Sequence, residues 1–222
     1  MKQLLLLIRQ LISYAMPLTR RVKTLYSGTV EITLHEGRKV LDTAHANYSY
    51  GSLQRVLAYG LRFTQPETAR QVLVLGLGGG SIIQTLRQTP GFTGTITAIE
   101  LDPVVIRIAD EEFDVRPDAQ LSIMCADAFA WVAAAPTHSF DLMVIDLFLD
   151  LTLPAGLSTS GFWEHIGRLL RPGGSVLLNT LTAENALVDG RPAPAYWEQQ
   201  GFAVKEVEVE LLNLLYILRK VA

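Results

Sequence analysis

From about residue 66 the chain alternates short apolar runs with helical stretches, and this alternation leaves few folds open. Residues 72–75, 95–99, 121–124, 142–145 and 175–179 are the runs; residues 80–89, 103–112 and 161–170 are the clearest helical intervals. Runs that are apolar throughout, rather than at every second position, suit strands covered on both faces by helices, which means a parallel sheet. The tail reads differently: residues 203–210 and 214–219 are two strands joined by a short turn, an antiparallel hairpin closing the sheet. The expected fold class is therefore α/β and Rossmann-like, with residues 66–222 forming one α/β domain.

Residues 1–62 have another pattern. Residues 29–34 alternate, His35-Glu36-Gly37-Arg38 supplies a turn, and residues 39–42 return, which predicts a small N-terminal β-hairpin. A helix is expected over residues 52–62, with Leu53, Val56, Leu57 and Leu61 on one face. The first residues predict a helix over 2–16, ended by Pro17, whose apolar stripe would lie against the domain or a second copy of the chain in a homodimer. Arg9 and Gln10 interrupt the stripe, so no membrane span is expected.

Composition narrows the function. Apolar residues make up 49% and charged residues 18%, which excludes disorder. One cysteine, Cys125, excludes an intrachain disulfide and a cysteine-cluster zinc site and leads to a cytoplasmic expectation. The net charge of −3 hides an uneven distribution: residues 100–150 hold eleven acids against two bases. No long basic run suggests nucleic acid, whereas a cationic small-molecule substrate would suit the acidic middle. His35, His45, His138 and His165 have no metal-ligand spacing, and Ser158 and Ser160 no serine–histidine pattern, so neither a metal nor nucleophilic hydrolysis is expected.

The chemistry concentrates after the strands. Gly76-Leu77-Gly78-Gly79-Gly80 follows the first run and opens a helix, a turn where backbone can approach a ligand and free N–H groups are available. The second run ends in Glu100, twenty residues after Gly80, a carboxylate placed to accept ribose hydroxyls. The third is followed by Ala126-Asp127-Ala128-Phe129, an acid for an adenine amino group beside an aromatic. Asp146 ends the fourth, at the carboxyl edge where open α/β sheets bind ligands. A dinucleotide fold would call for further parallel strands, so the closing hairpin favours S-adenosylmethionine over NAD.

The domain resembles the class I methyltransferase fold. Several stretches, in order over roughly residues 26–180, are also similar to the spermidine/spermine synthases, the polyamine aminopropyltransferases. They are Glu36-Gly37-Arg38-Lys39-Val40-Leu41-Asp42, residues 72–80, Ala98-Ile99-Glu100-Leu101-Asp102-Pro103, Ala126-Asp127-Ala128-Phe129, residues 140–146, and residues 157–179 with Leu170-Arg171-Pro172-Gly173-Gly174. The resemblance implies an aminopropyltransferase using S-adenosylmethionine or its decarboxylated form. The donor would lie on Gly76, Gly78, Gly79, Gly80 and Ala128, with Glu100 on the ribose, Asp127 on the adenine, and Asp146 as catalytic acid–base residue. Asp150 and Tyr50 would meet an amine acceptor such as putrescine. The chain also departs from that family: Gly79 stands where its loop carries an aspartate, Tyr48-Ser49-Tyr50-Gly51-Ser52-Leu53-Gln54-Arg55 lacks its acids, and Leu149 replaces a second aspartate after the catalytic one. Each absent acid would read an ammonium group. A methyltransferase acting on a small acceptor, and an idle nucleoside-binding scaffold, are therefore the alternatives.

Overall fold

A computed structural model describes residues 2–43, 47–148, 152–182, 186–210 and 212–221. Helix α1 (Lys2–Ile12) is followed by strands β1 (Leu18–Lys23), β2 (Thr29–His35), β3 (Arg38–Asp42) and β4 (Asn47–Ser49), which form a four-stranded antiparallel sheet in chain order. The hairpin expected from the alternating residues is its centre. Its flanks escaped the sequence pattern: β1 is a largely exposed edge strand, Leu-Thr-Arg-Arg-Val-Lys, whose charges protect it from pairing rather than mark it as a strand, and β4 has three residues.

Helix α1 stops at Ile12, short of the expected Pro17. Ser13 then accepts the Glu36 N–H at its carbonyl (2.9 Å) and the Gly37 N–H at its hydroxyl (3.0 Å), docking the end of the helix on the β2–β3 turn. Among its described side chains, Leu7 and Leu11 are 58% and 73% exposed rather than packed on the domain. Among the described residues no helix is long and apolar enough to cross a membrane.

Helix α2 (Gly51–Leu61) leads into the α/β part: β5 (Gln71–Leu75), α3 (Ser81–Gln88), β6 (Thr95–Glu100), α4 (Pro103–Phe113), β7 (Leu121–Cys125), α5 (Ala128–Ala134) and β8 (Phe140–Ile145). Then come α6 (Ser160–Leu169), β9 (Leu170–Leu181), a two-strand ribbon of β10 (Leu187–Val188) and β11 (Arg191–Pro192), α7 (Ala193–Gln199), β12 (Phe202–Val209) and β13 (Asn213–Lys220). The large sheet has the order β7-β6-β5-β8-β9-β13-β12, with β5 to β9 parallel and β13 antiparallel to both its neighbours. This is the methyltransferase-type sheet with its closing hairpin, as expected. The Arg171–Gly174 segment is a bulge within β9, where the pairing to β8 shifts register.

The strands feed two apolar layers by simple alternation. Val72, Val74, Ile96, Ala98, Leu142 and Val144 face α2, α3, α4 and the N-terminal sheet; Leu73, Leu75, Ile99, Met143 and Ile145 face α5, α6 and α7. Full burial of both sets explains why these strands read as unbroken apolar runs. Glu112 of α4 ties down the N-terminal sheet by ion pairs to Arg20 (2.5 Å) and Lys39 (2.8 Å).

Candidate active site

The carboxyl ends of β5, β6, β7, β8 and β9 surround a cavity of about 220 Å³. Its floor is the glycine turn. Gly76 has φ +90° and passes so near β8 that a Cβ there would lie 2.1 Å from the Asp146 carbonyl oxygen, so only glycine fits. Gly80, also at positive φ, starts α3. Gly76 and Gly78 line the cavity, and Gly79 beside them packs against the N-terminal sheet. A Cβ at Gly79 would sit 3.0 Å from Ser49 Cβ and 3.2 Å from a ring carbon of Tyr50. The position that bears an acid in the family resembled is thus filled from the N-terminal sheet.

Glu100 is buried at the end of β6 and holds the turn in place. Its Oε2 accepts the N–H groups of Leu77 (3.1 Å) and Gly78 (3.2 Å), and its Oε1 that of Asp102 (3.0 Å). A carboxylate offers about four lone-pair directions. A ribose at this wall would therefore share Glu100 with the backbone rather than receive it whole. Burial pushes the Glu100 carboxyl above the usual range, against these backbone donors.

Asp127 and Ala128 open α5 on the cavity wall. Asp127 caps the helix, its Oδ1 accepting the Ala130 N–H at 2.8 Å. Phe129 lines the cavity too, while its ring rests against Phe162 at 5.1 Å between centroids, so it belongs to both the wall and the core.

Asp146 follows β8, facing the cavity from the strand beside the glycine turn. Burial lifts its carboxyl to about 6; the Asn179 amide, donating to Oδ1 at 2.9 Å, opposes the rise and the nearby Glu100 charge adds to it. Asn179 in turn accepts from Asn213 Nδ2 at 3.0 Å. Leu53, Leu147, Phe148 and Leu181 complete this end of the cavity with apolar surface.

The two expected acceptor residues fare differently. Tyr50 is a correction: it is buried away from the cavity, stacked on Phe113 at 4.4 Å, with its hydroxyl unpartnered and its backbone at φ 69° and ψ −167°. Tyr48, two residues earlier on β4, stands in the wall instead, bonded to Ser27 at 3.0 Å; alternation alone would put both tyrosines on one face, but Tyr50 lies past the end of β4 and its positive φ turns the chain aside. Asp150 lies outside the described residues.

Sequence reasoning also missed the contribution of the β1–β2 loop. Tyr26 and Ser27 line the cavity because Asp102 Oδ2 accepts the N–H groups of Leu25 (2.7 Å) and Tyr26 (2.8 Å). In the sequence Asp102 stood only within the Ala98–Pro103 stretch; the structure shows that it also caps α4, ahead of Pro103. Asn179 had a weak signal, a polar residue ending an otherwise apolar run. Among the described residues no cluster of potential metal ligands occurs.

Comparison with known proteins agrees with this frame. Residues 72–174 match the profile of the methyltransferase domain. The chain is 27% identical over 170 residues to the eEF1A lysine and N-terminal methyltransferase homolog of Drosophila pseudoobscura pseudoobscura, covering 72% of this chain and 25% of that protein. It is 30% identical over 126 residues to a probable polyamine aminopropyl transferase of Bifidobacterium longum, covering 56% and 26%. Among solved structures, a probable spermidine synthase from Corynebacterium glutamicum superposes with a TM-score of 0.71 at 19% identity, over 92% of this chain and 81% of that one. The chain spans between about a quarter and a half of the length of the curated relatives it matches.

Proposed function

We propose that this chain, which has the class I methyltransferase fold, is a transferase that binds S-adenosylmethionine or the decarboxylated form across Glu100 and Asp127, and passes an aminopropyl group from the decarboxylated form to a small amine. The observation that carries this reading is Asp146, a carboxylate in the wall of the same cavity as Glu100, with its carboxyl lifted to about 6.

The chemistry needs such a group. A neutral amine nitrogen attacks the carbon beside the sulfonium, the C–S bond breaks with its electrons going to sulfur, and the new ammonium must shed a proton. Free amines have pKa near 10 and are mostly protonated at neutral pH, so an acceptor with a pKa just below neutrality is suited to the transfer. Asp146 is that acceptor, Glu100 and the glycine turn hold the nucleoside, and the apolar wall limits water. Aminopropyl transfer would leave methylthioadenosine; methyl transfer would leave S-adenosylhomocysteine.

Methyl transfer is the second reading, and the packing of Gly79 against Ser49 and Tyr50 favours it. With no acid in the turn, the donor's tail ammonium loses one partner and its carboxylate meets no repulsion there. The test is to incubate the purified chain with each donor and a panel of amines that includes putrescine, following both nucleoside products. Methylthioadenosine formation that Asp146→Asn reduces at least about 100-fold supports the proposal. S-adenosylhomocysteine as the sole product would transfer the assignment to the second reading.

A further inference from the structure

We infer that Asn213 is a positioning residue for Asp146 and acts on it through Asn179, the three side chains forming one hydrogen-bonded row across neighbouring strands. The strand order supplies the placement: β9 lies between the strand that Asp146 follows and β13. Asn213 is directly opposite Leu181, two residues from Asn179 on the same face of β9, and all three line the cavity.

The direction of the bonds follows from the donor chemistry. An ionised carboxylate only accepts, so Asn179 must turn its NH2 towards Asp146. Its carbonyl oxygen then points away, at 1% residue exposure, and needs a donor there; Asn213 Nδ2 provides it at 3.0 Å. Reversing the Asn179 amide would set oxygen against carboxylate and NH2 against NH2. Asn213 therefore locks the orientation in which Asn179 donates to Asp146 Oδ1 at 2.9 Å. Among the described residues no other side chain donates to Asp146, so Oδ2 is the oxygen left for the proton of the acceptor. An apolar residue at position 179 would fill a buried strand more favourably, and the amide pair is explained by what it does to Asp146.

The inference rests on the reading of Asp146 as proton acceptor, but its test does not. The other titratable groups facing Asp146 are Glu100 from β6 and Tyr48 from β4, while β9 and β13 present only the amides among the described residues. The Asp146 titration would be followed by carboxyl-carbon NMR in the full chain, its resonance assigned by its loss in Asp146→Asn. Asn179→Ala should raise the midpoint by about one pH unit, a tenfold change, because the carboxylate loses its donor. Asn213→Leu should raise it by less, and should add nothing in the Asn179→Ala background. If Asn213→Leu fails to fold, Asn213→Ser, too short to reach Asn179, carries the same expectation. No shift in a folded Asn213 variant, or equal shifts with and without Asn179, would overturn the inference. The acid limb of kcat/KM should move with the NMR midpoint; undiminished transfer by Asp146→Asn would overturn the proton-acceptor reading, and the catalytic meaning of the row with it.

Discussion

Asp102 holds the backbone N–H of Tyr26 at 2.8 Å, and through that bond a residue between β6 and α4 fixes the loop of the N-terminal sheet over the cavity. Its other oxygen caps α4 through the Val104 N–H at 2.8 Å. One buried side chain thus joins helix, loop and pocket.

Asp102→Ala removes a cap and strands the N–H groups of Leu25 and Tyr26. We expect it to lower stability by about 2 kcal/mol and to weaken nucleoside binding in the same variant. Denaturant melts and calorimetry with methylthioadenosine measure the two effects. Lost stability with unaltered affinity would reduce the loop to scaffold.

Glu100 invites a gentler substitution than alanine, because it serves the backbone as well as the ribose. Glu100→Ala would leave the Leu77, Gly78 and Asp102 N–H groups without this acceptor, so it should destabilise the fold along with binding. Glu100→Gln keeps one acceptor oxygen and should fold, with affinity for methylthioadenosine about tenfold weaker, or roughly 1.4 kcal/mol. Unchanged affinity in this variant would remove Glu100 from the nucleoside site.

The parallel sheet was legible because Val72 to Leu75 and its counterparts are buried on both faces, so composition alone marks the strands. The first strand of the N-terminal sheet was not, since its Arg20 and Arg21 suit an exposed edge and carry no apolar period. Glu100, Asp127 and Asp146 could be placed because each ends a strand or follows one, and sheet topology sends such ends to one side. Tyr48 and Tyr50 could not be told apart from the sequence, because two residues apart on a strand they would share a face, and what separates them is the positive φ of Tyr50 just past β4. Asn213 was unreadable for a different reason: its place beside Asn179 depends on the register of an antiparallel pair, which local pattern does not encode.

The raised carboxyl of Asp146 also makes a statement about stability. An unfolded aspartate titrates near 3.9, whereas here the folded group titrates at about 6. Between those values the folded chain binds more protons than the unfolded one. The contribution of this group is therefore fully present below pH ~4 and is lost as the pH rises through about 6. Asp146→Asn keeps an acceptor for Asn179 and carries no charge to bury. It should gain about 2 kcal/mol over the parent at pH 8 and nothing at pH 4, while losing transfer activity. Parallel stability curves for the two proteins across that range would contradict the buried-charge account.

The donor tail gives the sharpest test of which transfer the site performs. S-adenosylmethionine carries a tail carboxylate that its decarboxylated form lacks, so a site built for the latter should surround the tail ammonium with acids and repel a carboxylate. In this turn Gly79 leaves no acid, and Ser49 and Tyr50 occupy the space beside it. We expect the chain to distinguish the two donors by about tenfold or less, roughly 1.4 kcal/mol, in dissociation constants measured by calorimetry. The backbone at Gly79 is not at positive φ, so a side chain is tolerated once Ser49 yields a few tenths of an ångström. Gly79→Asp combined with Ser49→Gly should therefore fold and shift preference towards the decarboxylated donor by about tenfold, the worth of one added charge contact. A thousandfold preference in the parent chain for the decarboxylated donor would overturn this reading of the missing acids and favour aminopropyl transfer.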